Sequence, residues 1–286
     1  MSAGEDRHRA AGSAPGAVAH APAKAGRLDR VSFVVAGAQK SGTQALDRYL
    51  REHPELCLPR LVPVGDTMTA EVHFFDSDSL FGSDHVDYSA YHAKFDARPP
   101  QRLLGEVTPA YLYWPTAAER IARYNAAMKI IVVLRNPITR AYSHWNKSRS
   151  GHREPLPFLE AVRAEPQRLR GLPLRKAMRF NYVERGFYVA QLQRLWRYFP
   201  VEQTLVLRTE ELLESPSASL SKIAGFLGIG PFASVASKSV NAGEYAAPMS
   251  TEARRFLVGI FEQEIHELER LLGWDCSRWL AVDEAG

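Results

Sequence analysis

Three short stretches of this chain combine residue types suited to chemistry on a charged group. Gly37-Ala-Gln-Lys-Ser-Gly-Thr43 places a lysine and two hydroxyl residues around two glycines with four residues between them. A glycine-containing turn at a helix start aims backbone N–H groups outward and attracts phosphate-like anions, and Lys40 adds a full positive charge. The bland reading of the same residues is a strand-to-helix turn with a surface lysine. Arg135 and, eight residues on, Ser143 offer a guanidinium fork and a hydroxyl donor, which suit a terminal phosphate. Glu71-Val-His73 supplies two groups able to take a proton from a nucleophile. In an extended segment, side chains alternate, so Glu71 and His73 face one side and either reaches the same acceptor.

The elements that must position these residues are legible nearby. Ser32 to Ala38 is an apolar, β-branched run ending in glycine, and Ser41 to His53 carries Ala45, Leu46, Tyr49 and Leu50 at helical spacing before Pro54. This predicts strand, tight loop, helix. Lys129 to Leu134 reads as a second buried strand, with Pro137 near the start of a helix through Ile138 to Asn146. Thr204 to Arg208 is a third strand and Leu103 to Val107 a further one. Helices are predicted over Ala117 to Asn125, Phe187 to Phe199, Glu210 to Leu213, Ser217 to Leu227 and Ser250 to Leu272, the last ended by Gly273. Strands alternating with helices predict a three-layer α/β fold with a central parallel sheet covered on both faces. Arg135 and Lys40 then share the carboxyl edge of that sheet, where α/β proteins bind ligands. Residues 30–286 are expected to form one domain behind a disordered tail at 1–29, with mobile loops at 59–70 and 149–180.

Composition narrows the class. The 286 residues are 45% apolar, enough for a full core, with a net charge of +4. Basic residues form no dense run beside stacking aromatics, so a small polyanion is expected and nucleic acid is not. Cys57 and Cys276 lie far apart and match no metal-ligand or CxxC spacing, which points to reduced thiols and no bound metal. The first residues lack the apolar stretch of a signal peptide, and no run of about 18 apolar residues occurs. A soluble, cytoplasmic protein is the expectation.

The first loop is similar to a Walker A loop, but a Walker A lysine would stand at position 43, where this chain has Thr43. No Walker B carboxylate follows the next strands, so a nucleotide kinase using Mg²⁺-ATP remains only as an alternative. The match lies elsewhere. AGAQKSGTQAL resembles the 5′-phosphosulfate loop of sulfotransferases dependent on 3′-phosphoadenosine 5′-phosphosulfate (PAPS), a family with a P-loop-like α/β fold. VVLRNPITRAYSHW resembles their 3′-phosphate motif, and the likeness covers most of residues 31–280. It implies that Lys40, Ser41, Gly42, Thr43 and Gln44 grip the phosphosulfate of PAPS while Arg135 and Ser143 hold its 3′-phosphate. Glu71-Val-His-Phe-Phe75 with Asp76 resembles the Glu-x-His-Phe-Phe stretch of the heparan sulfate glucosaminyl sulfotransferases, which implies Glu71 as base and His73 as its positioning or proton-sharing partner.

Other matches are partial. Gly105-Glu-Val-Thr-Pro-Ala-Tyr111 resembles the family's Glu-Lys-x-Pro-x-Tyr strand end, with Val107 in place of the lysine, which lowers the expectation of a highly anionic polysaccharide acceptor. Glu106 reads as a strand-end ion pair or a tether for a donor-site residue. Tyr188 is a candidate for lining the nucleotide site. Lys238 stands where the family closes a basic loop over the donor, though the usual Lys-Gly pattern is absent. Arg140 falls on the same helix as Ser143 and reads as either a site or a solvent residue, and Trp145 as core packing. The cations between Arg163 and Arg185 read as a solvated face or a lid. The expectation is metal-free, in-line transfer from PAPS to a hydroxyl of a small-molecule, glycolipid or carbohydrate acceptor. An amine acceptor, a non-enzymatic nucleotide-binding module and a homodimer stay open.

Overall fold

The computed structural model describes residue 1 and residues 28–64, 67–83, 85–233 and 247–282. Its strands run β1 (Phe33–Gly37), β2 (Leu56–Cys57), β3 (Val62–Val64), β4 (Thr67–Thr69), β5 (Leu103–Val107), β6 (Lys129–Leu134) and β7 (Thr204–Arg208). The helices are α1 (Thr43–Arg51), α2 (Ser89–His92), α3 (Ala117–Tyr124), α4 (Pro137–Ser150), α5 (Phe158–Leu169), α6 (Leu174–Ala177), α7 (Tyr188–Trp196), α8 (Thr209–Glu214), α9 (Pro216–Leu227) and α10 (Thr251–Leu272).

Five strands form one sheet in the order β2-β5-β1-β6-β7, each neighbouring pair parallel. Alternation along β1 explains the layers. Phe33 and Val35 face α1, α8 and α9 through Leu46, Leu50, Leu212 and Ile223, whereas Val34 and Ala36 face α3, α4, α7 and α10 through Ile121, Ile138, Leu192 and Leu257. A central α/β sheet flanked by helices, as expected, results. Chain order reverses beside β1, because the chain passes from β5 over β1 to β6. That places a crevice at the carboxyl ends of β1 and β6.

Local signals set the helix ends. Pro137 opens α4, and the Asn136 side chain accepts a hydrogen bond from the Ile138 amide at 2.9 Å. Ser250 caps α10 by accepting from the Ala253 amide at 3.2 Å, and Gly273 closes it at φ 66°.

Two segments differ from the loop reading. Within 59–70, β3 and β4 pair as an antiparallel hairpin. Within 149–180, α5 and α6 form, and Phe158, Ala161 and Val162 of α5 are buried in the larger core. The prolines misled the reading: Pro157 and Pro173 stand just before the first helical residues and so open helices there. Residues 2–27 of the predicted tail, and Lys238, lie outside the described residues. No helix among the described residues is long and apolar enough to cross a membrane.

Candidate active site

The strand β1 delivers the anion loop. A Cβ at Gly37 would sit 2.5 Å from the Leu112 Cβ, so only glycine fits there. Lys40 (φ 71°) and Gly42 (φ 87°) both adopt the left-handed conformation, which folds the loop into a concave turn ahead of α1. The turn is pinned from outside: the Ala38 amide donates to Val133 O at 2.7 Å, and the Thr209 hydroxyl bridges Ser41 O at 2.8 Å and Leu134 O at 3.1 Å. Ser41 and Thr43 are buried and Gln44 is exposed.

Arg135 arrives on the neighbouring strand. Its Nη1 reaches Lys40 O at 3.4 Å and its Nε donates to the Thr139 hydroxyl at 3.0 Å. Ser143 lies one turn beyond Thr139 on the same face of α4 and is buried. Tyr188 donates its hydroxyl to Arg135 O at 3.0 Å, so it touches the arginine turn through the backbone. Lys40, Arg135 and Tyr188 thus meet around the Arg135 turn.

The loop is crowded by positive charge. Burial, and then Lys147, Arg135 and Arg140, lower the Lys40 ammonium to about 8, with Glu71 pulling the other way. Arg140 is fully buried: Nη2 donates to Tyr182 O, while Nε and Nη1 have no partner among the described residues. It is not a solvent residue. Arg185 likewise departs from a solvated face, being 3% exposed, bonded to Gln39 Oε1 of the loop, and 5.2 Å from the Tyr113 ring centroid. Burial and then Arg140 lower it to about 9, with Glu71 among the groups acting in the opposite sense. Sequence gave no sign of this, because a run of cations reads the same whether its members face water or a ligand.

The rest of that run is divided. Arg168 pairs with Glu154 at 2.7 Å and Arg163 with Glu252 at 3.1 Å, while Arg170, Lys176 and Arg179 are exposed. Arg175 donates to Asp76 O and lies 5.0 Å from the Trp114 ring centroid.

Glu71 and His73 do meet, by a different geometry from the predicted extended segment. No strand forms there, and His73 is left-handed at φ 53°. Its Nε2 is 3.1 Å from Glu71 Oε2 and its Nδ1 is 2.8 Å from Asp76 Oδ2. Hydrogen bonds to Asp76 and Glu71 raise the imidazole to about 9, so His73 is an imidazolium at neutral pH. Glu71 also lines a cleft of about 220 Å³ with Pro59, Arg60, Val62, Val72 and Lys94. Glu106 makes no ion pair among the described residues. It is fully buried and surrounded by hydroxyls of Tyr91, Thr108 and Tyr111.

A parallel sheet in this order, an anion loop at its switch point and a carboxylate–imidazolium pair beside it define an α/β group-transfer enzyme of P-loop-like fold. A sulfotransferase domain model matches residues 31–246, and the chain belongs to that sulfotransferase family. It is 28% identical over 201 residues, 69% of the chain, to human heparan sulfate glucosamine 3-O-sulfotransferase 5. To human bifunctional heparan sulfate N-deacetylase/N-sulfotransferase 2 it is 27% identical over 277 residues, 87% of the chain and 30% of the relative. The chain spans about half the length of the 3-O-sulfotransferase, 53%. Among solved structures, the sulfotransferase from Alicyclobacillus acidocaldarius superposes with a TM-score of 0.73 at 29% identity, covering 88% of this chain and 99% of that one.

Proposed function

We propose that the chain transfers a sulfuryl group from PAPS to a hydroxyl of a carbohydrate, glycolipid or small-molecule acceptor. The carrying observation is the left-handed turn at Lys40 and Gly42 at the carboxyl end of β1, with Arg135 Nη1 3.4 Å from Lys40 O and buried Arg185 bonded to Gln39 of the same loop. A phosphosulfate carries the charge those cations lack, and the left-handed Lys40–Gly42 turn suits its phosphate. Arg135, just after β6, and Ser143, on α4, are assigned the 3′-phosphate.

The reaction is a single in-line displacement. The acceptor oxygen forms a bond to sulfur as the sulfur–oxygen bond to the phosphate breaks, and the acceptor proton passes to Glu71. Adenosine 3′,5′-bisphosphate leaves, and Lys40 offsets the charge that builds on its departing oxygen. His73 is already protonated at neutral pH, so the base role falls to Glu71, and the imidazolium, held between Asp76 and Glu71, fixes the Glu71 carboxylate. Glu71→Gln is expected to lower kcat by about 10²–10⁴ with little change in donor binding. Full activity in that variant, measured as ³⁵S transfer from PAPS into a carbohydrate panel, removes the assignment.

The similarity over 87% of the chain to a relative named for N-sulfation keeps glucosamine nitrogen as a second acceptor. Mass spectrometry of a glucosaminyl product labelled on oxygen or nitrogen decides between them.

A further inference from the structure

Glu106 is a fully buried carboxyl group with no cation paired to it among the described residues, in a position the proposed chemistry does not use. Three hydroxyls spend their protons on it. Tyr91 donates to Oε1 at 2.6 Å, Thr108 donates to Oε2 at 2.8 Å, and Tyr111 lies 3.1 and 3.2 Å from the two oxygens. Two of those hydroxyl oxygens then accept from one short stretch of backbone. Thr108 Oγ1 takes the Val72 amide at 3.1 Å, and the Tyr111 hydroxyl oxygen takes the Phe74 amide at 3.1 Å. These amides belong to the peptide bonds that follow Glu71 and His73. The other supports of the turn are the Glu71 amide on Thr69 Oγ1 at 3.1 Å and the Ser77 hydroxyl on His73 O.

The polarity of this network runs one way. A hydroxyl has a single proton; Thr108 and Tyr111 can receive an amide only if that proton points elsewhere, and the acceptor-only carboxylate of Glu106 is where it points. The turn that brings His73 into the left-handed region at φ 53° is thereby clamped on both sides.

We propose that Glu106 is a positioning residue for sulfuryl transfer, holding the Val72 and Phe74 amides through Thr108 and Tyr111 so that Glu71 and His73 keep their mutual geometry. The inference rests on Glu71 being the base. Burial raises Glu106 to about 7, while the hydrogen bonds from Tyr91, Thr108 and Tyr111 act in the opposite direction and favour the carboxylate.

The test uses the full chain with Thr108→Val, Thr108→Ser, Glu106→Gln and Glu71→Gln. Thr108→Val removes the hydroxyl with little change of shape, and Glu106→Gln puts an N–H where only donors converge. Both are expected to lower kcat about tenfold or more, as small misplacements of a reacting group do, with KM for PAPS within about twofold of the parent. Thr108→Ser, which restores the hydroxyl, is expected to restore kcat. In ¹⁵N-histidine NMR spectra the His73 titration midpoint is expected to fall in Thr108→Val, because the imidazole no longer sits squarely between its carboxylates. Parental kcat and an unmoved His73 midpoint in Thr108→Val, with Glu71→Gln inactive, overturn the positioning role alone. An active Glu71→Gln overturns the base assignment, and the His73 midpoint then judges Glu106 by itself. Equal damage in Thr108→Ser and Thr108→Val also counts against the clamp, as does loss of adenosine 3′,5′-bisphosphate binding in both.

Discussion

Lys40 ties the rate to pH. Its ammonium is lowered to about 8 in the free protein, and the proposed mechanism needs it charged, so kcat/KM for PAPS is expected to fall as pH rises through about 8. His73, raised to about 9, keeps its proton longer, and the first decline therefore belongs to the lysine. A bound polyanion favours the ammonium form, so the same decline in kcat is expected at higher pH than in kcat/KM. Lys40→Arg moves the decline upward if the assignment holds, and a pH profile flat from 7 to 10 in the parent protein would rule it out. Lys40→Ala is expected to cost about 10²–10³ in kcat, the scale for removing one donor aimed at developing charge. At this scale the sequence was only partly legible. Gly37, Lys40, Arg135 and Ser143 announce themselves by type and spacing next to apolar strands. Arg140 and Arg185 do not, since only tertiary packing decides that a guanidinium is buried without a carboxylate. Glu106 reads as a strand-end residue, and Thr108 and Tyr111 stand in the same short stretch, but its third hydroxyl partner, Tyr91, comes from α2, which no local pattern connects to it.

The elements behind the site follow simple rules, and they fail where a rule has two readings. The β1–loop–α1 and β6–turn–α4 units were readable because each joins an apolar strand to an amphipathic or proline-led helix. Proline is ambiguous between breaker and opener, and this is why α5 and α6 were taken for loop. The helix α10 offers a clean test of a local signal. Ser250→Ala removes the cap on the Ala253 amide and is expected to lower stability by about 1 kcal/mol, read as a shifted urea midpoint at unchanged slope. A change in kcat with no change in midpoint would mean that this end of α10 bears on the site and is not merely a cap. No comparable loss is expected at the C-terminal end on replacing Arg270, whose side chain only favours the helix dipole.

For the whole molecule, the proposed donor site draws on two neighbouring strands, so ligand binding and folding are expected to share the same structure. Adenosine 3′,5′-bisphosphate at about 100 times its Kd is expected to stabilise the fold by about 2.7 kcal/mol, visible as a raised Tm. Mg²⁺-ATP at equal concentration, lacking a 3′-phosphate for Arg135, is expected to do much less; the reverse order would favour the kinase alternative. The position of β1 in the sheet carries a further consequence. It is paired on one side with β5 and on the other with β6, and all five of its residues are buried. Its amides can exchange with deuterium only when the molecule opens as a whole, whereas the β3–β4 hairpin, with Leu61, Val62 and Met68 exposed, is free to open locally. The proposed phosphate-binding turn is therefore expected to hang from the slowest-exchanging part of the protein, and the hairpin beside Glu71 to be among the faster parts. If Glu71 faces the acceptor as proposed, exchanging residues 59–70 is expected to change acceptor preference while the deuterium exchange rate of β1 stays as it is.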